Sequence, residues 1–195
     1  MTNVSGYVLA GGESRRMGVD KAFLVMDGKA LFERAADTLS AVCGSVKIVG
    51  LRVRYDGSLT VIDDVEDRRG SIIGLYTALK NCRSEFTAVL ACDLPFVESE
   101  MMSEMAGLIQ RDEYLEAIVP RQMDGRLQQL CAIYRSAACL PLVERMLAEN
   151  NFRLNDLTAQ LDIRIYEPSG DDRWSTNVNT PAELRSAIAL DDESV

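Results

Sequence analysis

Gly6–Lys21 reads GYVLAGGESRRMGVDK. It opens as a short apolar strand over residues 6–10, runs into Gly11 and Gly12, and then sets Arg15, Arg16 and Lys21 close behind them. Glycines at a strand end let backbone approach a ligand without a Cβ in the way. The N–H groups of such a loop can cradle phosphate oxygens, with nearby cations offsetting their charge. The stretch is neither the G-x-x-x-x-G-K-[ST] phosphate loop nor the G-x-G-x-x-G dinucleotide fingerprint. Taken alone, a Gly-Gly pair is most often only a turn with solvated charges, so the rest of the chain has to decide its meaning.

Working outward, strand-like and helix-like segments alternate. Residues 30–42 place Leu31, Phe32, Ala35, Ala36, Leu39 and Val42 at helical spacing. VKIVG (46–50) and LTVID (59–63) read as strands, IIGLYTAL (72–79) as a helix, and FTAVLA (86–91) as a buried strand. A helix over 100–110, strands over 116–120 and 130–135, and a helix over 137–150 with Pro141 early in it follow. TPAELRSAIAL carries helix-start chemistry: Thr180 as cap, Pro181 at the first helical position and Glu183 completing a capping box. The pattern predicts an α/β fold, a three-layer Rossmann-like domain over 1–190 with a mainly parallel central sheet, and an acidic tail over 191–195. Ligands of such sheets bind beyond the carboxyl ends of the strands, where the Gly11–Lys21 loop lies.

Composition narrows the chemistry. The chain has 195 residues, 30 acidic against 21 basic, and a net charge of −9. That balance argues against nucleic acid or an anionic membrane as partner, since both demand a broad basic face. No apolar run reaches the roughly 18 residues of a membrane span, and the N-terminal residues lack the basic-then-apolar layout of a signal peptide. A cytoplasmic protein is the expectation. The five cysteines, Cys43, Cys82, Cys92, Cys131 and Cys139, form no C-x-x-C pair and read as reduced, packed thiols. There is no histidine. This rules out Ser-His-Asp and Cys-His catalysis and leaves oxygen ligands, hence Mg²⁺ or Mn²⁺, for any metal.

The string LAGG-x-S-x-RMG-x-DK, formed by Leu9, Ala10, Gly11, Gly12, Ser14, Arg16, Met17, Gly18, Asp20 and Lys21, closely resembles the signature loop of the molybdenum cofactor guanylyltransferases, the MobA-like family. These belong to a larger group of nucleotidyltransferases with the nucleotide-diphospho-sugar transferase type of sheet. Related cytidylyl enzymes read L-A-A-G at this point, and the second glycine is the feature that leaves room for a purine. Four further segments match in order. Asp64 falls where the family's guanine-contacting aspartate lies; read alone, Asp63 and Asp64 are an ordinary strand end. Gly70 and Gly74 fit the family's G-P-L-x-G turn, with Ser71 in place of proline. Asp93, directly after the buried strand 86–91, matches the C-D-x-P motif whose aspartate binds Mg²⁺. Gln128, Leu130, Ala132 and Tyr134 agree with Q-P-L-x-A-x-Y, with Gln129 at the proline position, and Asn177 and Asn179 match N-x-N-T-P.

The resemblance implies transfer of GMP from GTP to the terminal phosphate of molybdenum-loaded molybdopterin, giving the guanine dinucleotide form of the cofactor and pyrophosphate. It assigns Leu9, Ala10, Gly11, Gly12, Lys21, Asp64 and Asp93 to GTP, Mg²⁺ to Asp93, catalytic charge stabilisation to Lys21 and Arg16 beside Asp93, and the pterin side to Gln128, Asn177 and Asn179. Molybdoenzymes or their chaperones are the implied recipients. The attacking phosphate is already ionised near neutral pH, so no protein base is required. Two alternatives stay open: a cytidylyltransferase or other nucleotidyltransferase of the same fold, and a non-catalytic protein that binds the nucleotide or cofactor.

Overall fold

The structure, a computed structural model, describes residues 3–11, 21–51, 55–65 and 70–192. In chain order its strands are β1 (Val4–Leu9), β2 (Val25–Met26), β3 (Lys29–Ala30), β4 (Ser45–Val49), β5 (Thr60–Ile62), β6 (Phe86–Ala91), β7 (Ala117–Pro120), β8 (Cys131–Arg135) and β9 (Ile163–Tyr166). Its helices are α1 (Leu31–Ser40), α2 (Ser71–Asn81), α3 (Ser99–Ile109), α4 (Ser136–Ala148), α5 (Leu154–Thr158) and α6 (Pro181–Asp192). Seven strands form one sheet in the order β5-β4-β1-β6-β8-β7-β9. Four of its six neighbouring pairs are parallel, and only the two made by β8 are antiparallel. The mainly parallel sheet expected from the sequence is therefore what forms.

Side chains alternate between the two faces of the sheet, as a period of two requires. Val8, Ile48, Ala88, Leu90 and Ile133 pack under α1 and α3 with Phe32, Leu39, Met102 and Met105. Tyr7, Val49, Val89, Ala132 and Tyr134 pack under α2 and α4 with Ile72, Leu75, Val143 and Met146. Both faces of the central strands are covered, so β1 and β6 are buried along their whole length. This gives the three layers. Tyr134 keeps its buried hydroxyl satisfied by donating to the Gln129 carbonyl at 2.8 Å, as a buried phenol needs.

A third, smaller cluster matters most for function. Leu24, Met26 and Leu31, around the β2–β3 hairpin, pack with Val178, Leu184 and Ala187 from the segment around α6. Burying side chains of this size stabilises by roughly 1.5–3 kcal/mol each. The contact clamps the start of the chain to its end. The hairpin turns at Asp27 and Gly28, both with positive φ (50° and 79°), the Asp-Gly signature of a two-residue β-turn. That turn, β9 and α5 are absent from the elements the sequence predicts.

Boundaries elsewhere differ by a residue or two. Pro141 sits at the sixth residue of α4 rather than in its first turn, so the Ala137 carbonyl lacks the N–H it would meet in an unbroken helix. The start of α6 forms as expected: Glu183 N–H donates to Thr180 Oγ1 at 3.1 Å, and Thr180 N–H donates to Glu183 Oε2 at 3.0 Å. The helix runs on through Asp191 and Asp192. No helix among the described residues is long and apolar enough to cross a membrane.

Candidate active site

The carboxyl ends of four strands are stitched together around the residues after β1. Ala10 N–H donates to Val49 O at 2.9 Å, Gly50 N–H to Ile62 O at 3.0 Å, and Cys92 N–H to Leu9 O at 3.2 Å. Leu9, Ala10 and Gly11 thus lie between the ends of β4 and β6. Leu9 and Ala10 are buried, and Gly11 is exposed at the edge.

On the β4–β5 side, Asp64 lies against this floor. A Cβ built on Gly11 would stand 3.4 Å from Asp64 Oδ2, and one built on Gly50 would stand 3.0 Å from Asp64 Oδ2 and 3.0 Å from Gly11 Cα. Gly50 has a φ of +75°, a conformation that also favours glycine. Two bare backbones therefore meet beneath one carboxylate. The other oxygen, Oδ1, is 3.5 Å from the hydroxyl of Thr77 on α2, and that hydroxyl accepts the Val65 N–H at 3.2 Å. Gly50 and Thr77 are the contacts that sequence reasoning misses. The only local trace of Gly50 is a glycine at a strand end.

The turn expected at Gly70 forms as the start of α2. Gly70 is its cap residue with a φ of 138°, and Ser71 opens the helix. Proline and serine both suit that first position, so the replacement leaves the helix start in place. Gly74 lies over Leu9, with its Cβ position 3.5 Å from Leu9 Cδ2.

On the β6 side three distant segments converge. Lys21 Nζ lies 2.6 Å from Asp93 Oδ2 and 3.0 Å from Asn179 Oδ1. The Lys21 and Asp93 side chains keep 18% and 15% of their exposure, enough to meet a ligand and too little for full solvation. Asp93 also accepts Val178 N–H on its backbone carbonyl at 2.8 Å, which seats the 177–179 segment beside it. Buried Val178 alternates with exposed Asn177 and Asn179. Asn177 donates its side-chain amide to Ser175 O at 3.3 Å and does not join the Lys21 cluster. Asn179 is held from behind, its N–H donating to Glu183 Oε2 at 2.7 Å.

Gln128 stands apart from these contacts, its N–H donating to Pro120 O at 2.9 Å. Next to it, Gln129 is buried and donates its side-chain amide to Asn155 Oδ1. The position where the family pattern has proline thus ties the turn entering β8 to α5. Gly12 and Arg16, together with Arg15, lie outside the described residues.

Other chemistry is quiet. All five cysteines are free. Burial pushes the Cys43 and Cys131 thiols up to about 12 and raises Cys139 further, so none of these three is a nucleophile near neutral pH. A cleft of about 720 Å³ opens between α1, α3 and residues 166–174, with six carboxylates against three cations in its lining. That balance does not suit phosphate. The anion-compatible ground is the strand-end edge carrying Lys21.

Comparison with known proteins gives the family. The MobA-like NTP transferase domain matches residues 6–164. A molybdenum cofactor guanylyltransferase of Desulfosudis oleivorans is 33% identical, over 97% of this chain and 96% of the relative. A probable molybdenum cofactor guanylyltransferase of a Geobacillus species is also 33% identical, over 96% of this chain and all of the relative. Among solved structures, molybdopterin-guanine dinucleotide biosynthesis protein A of Archaeoglobus fulgidus superposes with a TM-score of 0.77 at 24% identity, covering 97% of this chain and 99% of that one. The sequence signature over Leu9–Lys21, the fold and these likenesses lead to one conclusion: the chain belongs to the MobA-like NTP transferase family.

Proposed function

We propose that the protein transfers GMP from GTP to the terminal phosphate of molybdenum-loaded molybdopterin, in the cytoplasm. The observation that carries the reading is the meeting of Lys21, Asp93 and Asn179 beside the Leu9–Gly11 strand end, with Asp64 on the far side of Gly11. In the reaction an oxygen of the pterin phosphate forms a bond to the α-phosphorus of GTP. The bond from that phosphorus to the bridging oxygen breaks, and pyrophosphate leaves with the electron pair. The nucleophile is already an anion, so the absence of histidine costs nothing.

The chain's own residues position and neutralise. Leu9, Ala10, Gly11 and Gly12 bring backbone to the nucleotide. Asp64 accepts from guanine N1–H and the 2-amino group, a pair of donors that cytosine and adenine do not present together. Lys21, with Arg16, stabilises charge that builds on the phosphates, the kind of preorganised electrostatic help that dominates such transfers. The acceptor side is assigned to Asn179, which touches Lys21, and with it to Asn177 and Gln128.

A divalent cation fits Asp93. Its Oδ2 already holds one positive charge, the Lys21 ammonium at 2.6 Å. Among the described residues no group of three or more His, Cys, Asp or Glu gathers to cage a metal. That suits Mg²⁺, which takes one or two carboxylates and completes its shell with water and substrate phosphates. When bound, it supplies charge neutralisation on the phosphate oxygens.

The test is pyrophosphate release with Mg²⁺ and molybdenum-loaded molybdopterin, comparing GTP, CTP and ATP. Release with GTP alone is expected. Release with CTP overturns the assignment of the second glycine and Asp64, and release with no nucleotide returns the protein to a binding role.

A further inference from the structure

We infer that Thr77 and Gly50 are positioning residues that set nucleobase selectivity by fixing the Asp64 carboxylate from two sides. The inference rests on the guanylyl reading of that carboxylate.

Thr77 is completely buried in the middle of α2. A threonine hydroxyl has one proton and two lone pairs. Here it donates back to the Ile73 carbonyl at 2.9 Å and accepts the Val65 N–H at 3.2 Å. Val65 is the residue directly after Asp64, so the bond pins the turn carrying the carboxylate to the rigid helix beneath it. Asp64 Oδ1 itself comes within 3.5 Å of the same hydroxyl. From the opposite side Oδ2 rests over Gly11 and Gly50, where any side chain on Gly50 would stand 3.0 Å from it. The helix therefore locates the turn that carries the carboxylate, through the Val65 N–H bond, and the two-glycine floor bounds its Oδ2.

A carboxylate that reads two adjacent N–H donors needs both oxygens in the plane of the base. Displacing or rotating it lengthens or misaligns at least one of the two hydrogen bonds, which weakens it. A site built for a particular donor discriminates strongly against analogues that lack it, because its own acceptor is then left unpaired. Inosine triphosphate keeps N1–H and lacks the 2-amino group, so the ratio of GTP to ITP affinity reports on the second bond alone. Both ligands see the same folded population, so a loss of stability scales both apparent affinities alike and cancels in the ratio. A purely structural role for Thr77 leaves the ratio unchanged.

The experiment is equilibrium binding of GTP and ITP to the full chain and its variants. Wild type is expected to prefer GTP by about tenfold or more, as one hydrogen bond to a charged acceptor implies. Thr77→Val keeps the side-chain shape and removes the acceptor for Val65 N–H; its ratio is expected to fall to within about threefold of unity, while Thr77→Ser restores the wild-type ratio. A folded Thr77→Val that keeps the wild-type ratio overturns the inference. Gly50→Ala reaches the same carboxylate from the other side and lowers the same ratio, so it carries the test if Thr77→Val does not fold; a wild-type ratio in Gly50→Ala likewise overturns it. A wild type with no preference for GTP over ATP and CTP fails differently, because it removes the guanylyl reading itself.

Discussion

Asp64 and Asn179 mark the two flanks of the proposed site, and they are held by different means. Asp64 sits on two glycine backbones at the ends of β1 and β4 and beside a buried threonine of α2. Asn179 is exposed, and its segment is fastened by the buried Val178, one backbone bond to Asp93 and the Glu183 carboxylate. The first flank is an extension of the sheet's core. The second is a surface segment moored at a few points. Telling one base from another needs a carboxylate that does not yield, because a compliant acceptor would follow the wrong donor. Receiving a larger acceptor needs less, since the reacting phosphate is located by charge. Lys21 spans the difference, bonded at once to Asp93 after β6 and to Asn179 before α6.

The largest consequence of that contrast falls on the shared residue. Lys21→Ala should lower the rate of pyrophosphate release at saturating GTP by about 10²–10³, with GTP affinity changing much less; normal turnover by this variant would break the comparison. Asn179→Ala removes one acceptor of the Lys21 ammonium and the contact proposed for the acceptor side. A roughly five- to tenfold loss in kcat/KM for the pterin, on the order of one net hydrogen bond, with the GTP to CTP preference intact, would separate the flanks cleanly. A changed base preference would merge them.

Smaller effects sharpen the picture. Glu183→Ala removes the reciprocal cap of α6 and the support behind Asn179. It should cost about 1 kcal/mol, or about 2–4 °C in Tm, and less than about fivefold in turnover, readable by thermal unfolding and steady-state rates. The interior beneath both flanks should be chemically silent. With Cys43 and Cys131 pushed up to about 12, only about one thiol in 10⁴ is ionised at pH 8. Iodoacetamide should label the folded protein at Cys82 alone, the one cysteine of intermediate exposure where the other four are buried, and all five in denaturant. Mass spectrometry of the labelled chain decides it.

Much of the site is legible in the sequence. Asp93 can be placed because FTAVLA is an unbroken apolar strand that must end at the sheet's edge, and the cap of α6 because Thr180, Pro181 and Glu183 are local chemistry. Asp64 is legible as a position and not as an environment. Its neighbours Gly50 and Thr77 lie 14 and 13 residues away on other elements, and neither shows a pattern that links them to it. Gln129 reads as a departure at a proline position, and its burial against Asn155 of α5 follows from packing that no motif records. β9 escapes notice because its inner residues Arg164 and Ile165 are exposed, so the apolar run that betrays a buried strand is missing.

By itself the sequence determined the kind of fold and the ends of the strands where chemistry could sit. Apolar runs and helical spacing act over a few residues, and a chain of alternating strands and helices has few ways to bury both. Only the tertiary structure decided which side chains meet. Lys21 reaches Asn179 across 158 positions because Leu24, Met26 and Leu31 bury themselves against Val178, Leu184 and Ala187. That partnership is settled by which apolar surfaces remain uncovered once the sheet is complete, a property of the assembled layers that no local stretch contains.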